Sequence, residues 1–368
     1  MSCWTYRSIP ARVYRDLTMS TEMAVAREDN PAPADFFASP ADVLREFERV
    51  GYFTTLSTAS AVYYGNLLSR PILQEGPAGA GKTELAVSLS KATGMPLIRL
   101  QCYDGIDDRK AIGDFNRSMQ ELYVLINREA QREWREIRTE IMSREFFVPG
   151  PLLSAIETPE RSILLIDEVD KVPQEFEALL LEILSVWEMS VPGLGTLQPV
   201  TVPFAIITSN AARELGDPLR RRSIFLPVEH PEPIQEARIV AVRTPGASPK
   251  THLFIAGLAQ ALRSFNLEKR PSISEMIDLA RVMEAMNWTT ILPEQRETVL
   301  PLLVKRVRDV ERLRMKDQFA VIVRRAAQLA SEIPIDSVRN ASEEGEAEWH
   351  SSGPKAAQLP GGGAIGVQ

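Results

Sequence analysis

The stretch "ILQEGPAGAGKTELA", Ile72 to Ala86, decides how the rest of the chain is read. An apolar run leads into it and a helix-forming run leads out, with Gly76, Gly81, Lys82 and Thr83 at the spacing GxxxxGK(S/T) between them. Strand, glycine-rich turn and helix in that order form the context in which this spacing grips phosphate. Across Gly76, Pro77, Ala78, Gly79, Ala80 and Gly81 the backbone N–H groups can turn inward around phosphate oxygens, and the helix opened by Lys82, Thr83 and Glu84 adds its positive end. Lys82 is expected on the β- and γ-phosphates and Thr83 on a magnesium ion, so ATP and Mg2+ are the expected cofactors.

A phosphate loop alone does not say what becomes of the nucleotide. "SILLIDEVDK", Ser162 to Lys171, supplies the second half: an apolar strand ending in Asp167 and Glu168. Alternation along a strand points adjacent side chains apart, so Asp167 can join Thr83 at the metal while Glu168 faces an attacking water. The pair argues for hydrolysis by water over transfer to a substrate hydroxyl. Asn210 ends the run "FAIITSN", where a polar side chain can reach the attacking water. "DPLRRRSIF" then offers Arg220, Arg221 and Arg222, which make best sense as fingers presented to a neighbouring subunit's phosphate.

Around these motifs runs the rhythm of an open α/β sheet. Pro71–Gln74, Pro96–Gln101, Ser162–Ile166, Pro203–Thr208 and Ser223–Val228 are short apolar runs that read as strands buried on both faces. Two helices are expected before them, between Ala41 and Leu68. From Met119 to Phe147, Leu122, Ile126, Ala130, Trp134, Ile137 and Ile141 recur at helical spacing and predict one long helix with its stripe on the sheet. After Glu229, "HPEP" breaks the chain and only helical patterns follow, at Ile234–Val242, Leu253–Phe265, Ile273–Met286, Glu297–Arg306 and Asp317–Ser331. The expected organisation is a disordered arm over 1–38 (Met19 and Met23 being alternative starts), an α/β nucleotide-binding domain over 39–229, a helical lid over 230–335 and a disordered tail over 336–368.

Composition narrows the remaining classes. With Lys plus Arg at 42 against Asp plus Glu at 49 the net charge is −7, which argues against a broad nucleic-acid footprint. Only two cysteines occur, Cys3 and Cys102, and the three histidines are scattered, so neither a disulfide framework nor a transition-metal cluster is expected. No window approaches the roughly 20 apolar residues that span a bilayer, and the expected location is the cytoplasm.

The order GPAGAGKT, ILLIDE, TSN and DPLRRR, followed by a helical lid, resembles the AAA+ ATPases, and finer features resemble their MoxR branch. These are "RLQC", with Gln101 where that branch has a polar switch residue, "FFVPGPL" from Phe146 to Leu152, and "EVDKVPQEFEALLLEIL". "TSNAARELGDPLRRRSIFLPVEHP" and "EKRPSISEMIDLAR" are most similar to the CoxD-like group. The resemblance implies a hexameric ring with ATP between subunits, a partner carrying a von Willebrand factor A domain, and chaperone-like remodelling or maturation of a client protein or metalloenzyme. It implies Arg222 as the finger, with Arg221 or Arg220 as alternatives. For the lid cation that senses nucleotide, "GASPK" (Gly246 to Lys250) stands before the first lid helix and carries Lys where Arg is usual, so Arg270 is preferred. A nucleic-acid motor or loader, and a nucleotide-gated scaffold without turnover, are the competing readings.

Overall fold

The computed structural model describes residues 36–127, 132–191 and 193–338. The expected arm over 1–38 and tail over 336–368 therefore lie almost wholly outside the described residues. Nine strands occur among those described: β1 Ile72–Glu75, β2 Leu97–Gln101, β3 Gly113–Phe115, β4 Phe147–Pro149, β5 Ile163–Asp167, β6 Met189–Val191, β7 Gly195–Leu197, β8 Phe204–Ser209 and β9 Ile224–Pro227. Five make a parallel sheet in the order β2-β5-β8-β1-β9, matching the five apolar runs. Strands β3 with β4, and β6 with β7, form separate antiparallel pairs.

The apolar runs are continuous because both sheet faces are covered. In β5, Ile163 and Leu165 join one cluster with Phe47, Ile72, Leu85 and Phe204, whereas Leu164 and Ile166 join another with Leu73, Leu180 and Ile207. Period-two alternation thus feeds two cores from one strand. The helices Pro40–Arg49 and Leu56–Leu67 cap the first of these. The register sets Gln101 beside Asp167 and Glu75 beside Ser209, so the carboxyl ends of β1, β2, β5 and β8 finish along one rim. Ligands in open α/β sheets bind at such a rim.

The long helix expected over Met119–Phe147 is not formed. Its place is taken by two helices, Arg117–Ile126 and Trp134–Ile141, a 3-10 turn at Arg144–Phe146, and β4. Gln120 Nε2 donates to the carbonyl of Ile141 at 2.6 Å, so the second helix folds back on the first. Nor does the apolar stripe lie on the sheet: Leu122, Ile126 and Trp134 are exposed, and only Ile137 of the stripe is buried, Ala130 falling outside the described residues. Between Ile126 and Trp134 the sequence offers Ala130 as its one apolar residue, too little to anchor a continuous helix.

Beyond β9 the described chain is helical: Pro233–Arg243, Pro249–Ser264, Ile273–Ala285, Arg296–Leu303, Val307–Arg314 and Gln318–Glu332. Val307–Arg314 has no counterpart among the helices expected from sequence. These helices share a core built on Ile255, Leu258, Met276, Leu279 and Phe319. The crossing of Pro249–Ser264 with Gln318–Glu332 is close enough that a Cβ on Gly257 would stand 2.3 Å from the Ala326 carbonyl oxygen. The architecture is an α/β core with an open parallel sheet followed by a helical lid. Among the described residues no helix is long and apolar enough to cross a membrane.

Candidate functional site

The phosphate loop turns from β1 into the helix Lys82–Thr93 with Gly79 and Gly81 at positive φ, 77° and 87°. Gly79 is required twice over. An L side chain rarely adopts its backbone angle, and a Cβ there would meet Ser272 Cβ at 2.3 Å. Ser272 is the N-cap of the lid helix Ile273–Ala285, fixed by a capping box with Glu275. The N–H of Ile273 donates to the Gly79 carbonyl at 3.3 Å, so the lid rests directly on the loop.

A cleft of about 790 Å3 opens between core and lid. Gly79, Gly81, Lys82, Thr83, Asp167, Glu168 and Asn210 all line it, from three motifs well separated in sequence. The Lys82 ammonium donates to the carbonyls of Gly76 and Pro77 and to Asn210 Oδ1, each at 2.8 Å. Burial pulls its pKa below the ordinary lysine value, opposed by Asp170, Asp167 and Glu168. An anion entering the loop would relieve that desolvation.

Asp167 is buried and accepts from Thr208 Oγ1 and Arg99 Nη2, each at 2.5 Å. Thr83 Oγ1 lies 3.3 and 3.4 Å from its two oxygens. A hydroxyl and a carboxylate facing one cleft, with room left for water, suit a hard cation such as Mg2+, which commonly takes one or two protein oxygens. Glu168 departs from its neighbour in backbone as well as direction: its φ of 60° places a non-glycine residue in the left-handed region. Such an outlier at a strand end points to a functional constraint. Its Oε1 accepts from Asn210 Nδ2 at 3.1 Å, and its Oε2 from Gln101 Nε2 at 2.9 Å and Lys171 Nζ at 2.6 Å.

Asn210, just past the end of β8, thus bridges Lys82 and Glu168. Sequence reasoning missed the residue that holds it there. Asp170 is buried and accepts the backbone N–H groups of Asn210 at 3.1 Å and Ala212 at 3.0 Å. The third acid of "DEVDK" was the available signal, unreadable without knowing that the Asn210 loop passes over it. Arg99 and Thr208 on Asp167 were missed for the same reason. Behind the acids, burial pushes the Cys102 thiol up to about 12, which leaves it inert.

The arginine triplet separates. Arg220 reaches inward to Glu75, Nη2 to Oε2 at 2.7 Å. Arg221 is exposed, 3.5 Å from Asp217. Arg222 is exposed and has no hydrogen-bond or ion-pair partner among the described residues. On the lid, Arg270 is exposed and does not line the cleft; burial first, then Arg263, Arg270 and Lys82, holds cleft-lining His230 down at about 4. The lid-borne cations that do line it are Arg243, paired with Glu84 at 2.5 Å, and Arg281.

Residues 71–223 match the family model of the AAA domain, dynein-related subfamily. Uncharacterized proteins of Staphylococcus aureus are 32% identical over 108 residues, 29% of this chain and 34% of theirs, and one of Staphylococcus haemolyticus is 31% identical over the same lengths. The chain thus spans about a third of the length of these curated relatives. A solved candidate ATPase from Cytophaga hutchinsonii covers 84% of this chain and 98% of its own, at 16% identity and a TM-score of 0.38, too low to bear on fold or function.

Proposed function

From the premise that residues 71–223 form the core of an AAA+ ATPase, we propose that the chain hydrolyses ATP at the rim of its sheet and uses the cycle to remodel or activate a partner protein. One observation carries this reading: Lys82 and Thr83, Asp167 and Glu168, and Asn210, delivered by three separate strand ends, are joined at the phosphate loop by the hydrogen bonds Lys82–Asn210, Asn210–Glu168 and Thr83–Asp167. The ATP phosphates replace the Gly76 and Pro77 carbonyls and Asn210 as partners of Lys82. Thr83 and Asp167 would hold Mg2+, which supplies charge neutralisation for the β- and γ-phosphates. Asn210, freed from Lys82, orients a water. Glu168 takes the proton of that water as its oxygen bonds to the γ-phosphorus and the bond to the β–γ bridging oxygen breaks, leaving ADP and phosphate.

In the described state both Glu168 oxygens are held, by Asn210 on one side and Gln101 and Lys171 on the other. These three bonds leave about one acceptor site of the carboxylate, on Oε1, for a water. Arg222, exposed and unpaired, is offered to the next subunit of a ring, where its guanidinium stabilises charge on the transferring phosphate. The resemblance to the MoxR family, and within it to the CoxD-like group, favours a cytoplasmic hexamer, a partner with a von Willebrand factor A domain, and a metalloenzyme among the clients. Arg281, which lines the cleft from the lid, is a better nucleotide contact than Arg270.

The test is capture with Glu168→Gln in saturating ATP, followed by mass measurement of the assembly. A ring that retains a specific protein in ATP and releases it in ADP supports the proposal. ATPase stimulation by DNA with no protein retained would favour a nucleic-acid loader instead.

A further inference from the structure

The helix Asp217–Arg222 ends on the exposed Arg222, yet two residues earlier it is tied inward. Arg220 Nη2 donates to Glu75 Oε2 at 2.7 Å, across 145 residues of sequence, with both side chains largely covered. The guanidinium also lies over the Phe225 ring at 5.4 Å, and its Nε is buried without a hydrogen-bond partner. Glu75 is therefore the main polar anchor of this arginine. Glu75 is also the last residue of β1, one bond from the Gly76 whose carbonyl holds Lys82. At its other end the helix is tied to the core through the N–H of Gly216 on Glu177 Oε2 at 3.0 Å and through buried Leu219.

We propose that the Glu75–Arg220 ion pair is a strut linking a subunit's own phosphate loop to the arginine it presents to its neighbour, so that Glu75 and Arg220 are positioning residues for Arg222. The chemistry favours a strut over simple adhesion. The Nη2–Oε2 bond and the guanidinium's place over the Phe225 ring together fix direction as well as distance. When ATP takes Lys82 off the Gly76 carbonyl, the end of β1 is the first backbone to feel it, and Glu75 is its side chain. The helix end that carries Arg222 then shifts with the occupancy of the same subunit's loop. The inference rests on Arg222 acting in trans.

Mixed assemblies test both layers separately. Glu168→Gln subunits keep the finger and lose the acid; Arg222→Ala subunits keep the acid and lose the finger; together they should regain turnover. Glu75→Gln placed in the finger-donating Glu168→Gln subunit should abolish most of that rescue, by about tenfold, on the scale of partial loss of an arginine finger. The same substitution in the Arg222→Ala subunit should leave rescue within about twofold, because that subunit donates no working finger. Arg220→Lys, which keeps the charge and loses the planar group over Phe225, should act in the donor alone, and the swap Glu75→Arg with Arg220→Glu should return part of the rescue. Melting temperatures of each variant identify any that fail to fold. Equal loss in donor and acceptor would mean that Glu75 serves only its own phosphate loop, and no loss in the donor would mean that the pair positions nothing; either overturns the strut. If the parent pair shows no rescue at any ratio, the trans finger itself fails and the strut with it.

Discussion

Lys82 and Asn210 are 128 residues apart in sequence and joined by a hydrogen bond of 2.8 Å, from the Lys82 ammonium to Asn210 Oδ1. Through this contact the phosphate loop at the end of β1 is aware of the polar residue at the end of β8, and through Asn210 Nδ2 of Glu168 at the end of β5. Removing either residue should therefore damage different steps of one cycle.

Lys82→Ala takes away the charge proposed to face the terminal phosphates while leaving the backbone cradle. ATP affinity, measured by titration calorimetry, should fall by at least about tenfold, the loss of one charge-assisted contact of roughly 1.5–3 kcal/mol. Asn210→Ala should keep near-parent affinity and lower turnover by about a hundredfold, as for removal of a single oriented donor at a reacting centre. A weakened affinity with turnover intact would reverse these assignments.

Asp170→Ala leaves the N–H groups of Asn210 and Ala212 without acceptors. A donor left unsatisfied on partly buried Asn210 costs up to about 1–3 kcal/mol, while that of exposed Ala212 can turn to water, so the melting temperature should fall and Asn210 should lose its position. Hydrolysis should drop more than ATP binding. Asp170→Asn, which keeps one acceptor oxygen, should sit between the two.

Gly79→Ala combines a backbone penalty of about 1–2 kcal/mol at φ 77° with a clash against Ser272. The lid helix cannot seat on the loop as it does now, and ATP affinity should fall. Adding Ser272→Gly removes the 2.3 Å contact but leaves the Cα of residue 272 at 3.1 Å and the backbone strain, and gives up the N-cap hydroxyl, so it should restore part of the affinity. Full restoration would show that the Cβ contact alone operates.

His230 is held down at about 4 by burial first, then by Arg263, Arg270 and Lys82. Its folded value lies below the ordinary histidine value near 6.5, so the unfolded chain takes up a proton that the folded chain refuses between those limits. Its contribution to stability is complete above pH about 6.5 and is lost as pH falls towards 4. Buried His252, also shifted down, acts with the same sign. The melting temperature of His230→Gln should fall less steeply over this window than that of the parent, with His252 accounting for a residual slope.

The sequence reveals what is local and what is periodic. Five apolar runs became the five strands of the sheet, because a strand buried on both faces must be apolar throughout. The phosphate loop, the acid pair and Asn210 were legible because each sits at a strand end, and strand ends of a parallel sheet meet at one rim. What stayed hidden depends on contacts between distant segments. Nothing in "DPLRRR" says that Arg220 turns inward, since Glu75 lies 145 residues earlier. Nothing in "DEVDK" says that its third acid holds the Asn210 loop. Periodicity over Met119–Phe147 misled because a helical stripe does not reveal what it faces; Ile126, in the expected stripe, is 70% exposed.

The central claim is that the phosphate loop serves hydrolysis by water activated at Glu168. It is tested most directly by following phosphate release from saturating ATP in heavy-oxygen water, for the parent and for Glu168→Gln, with ATP binding measured on the same samples. The parent should release phosphate carrying one heavy oxygen, and Glu168→Gln should bind ATP with similar affinity while releasing phosphate at least about a hundredfold more slowly. Equal release by the two proteins, or no release from an assembled parent with bound ATP, would contradict the account.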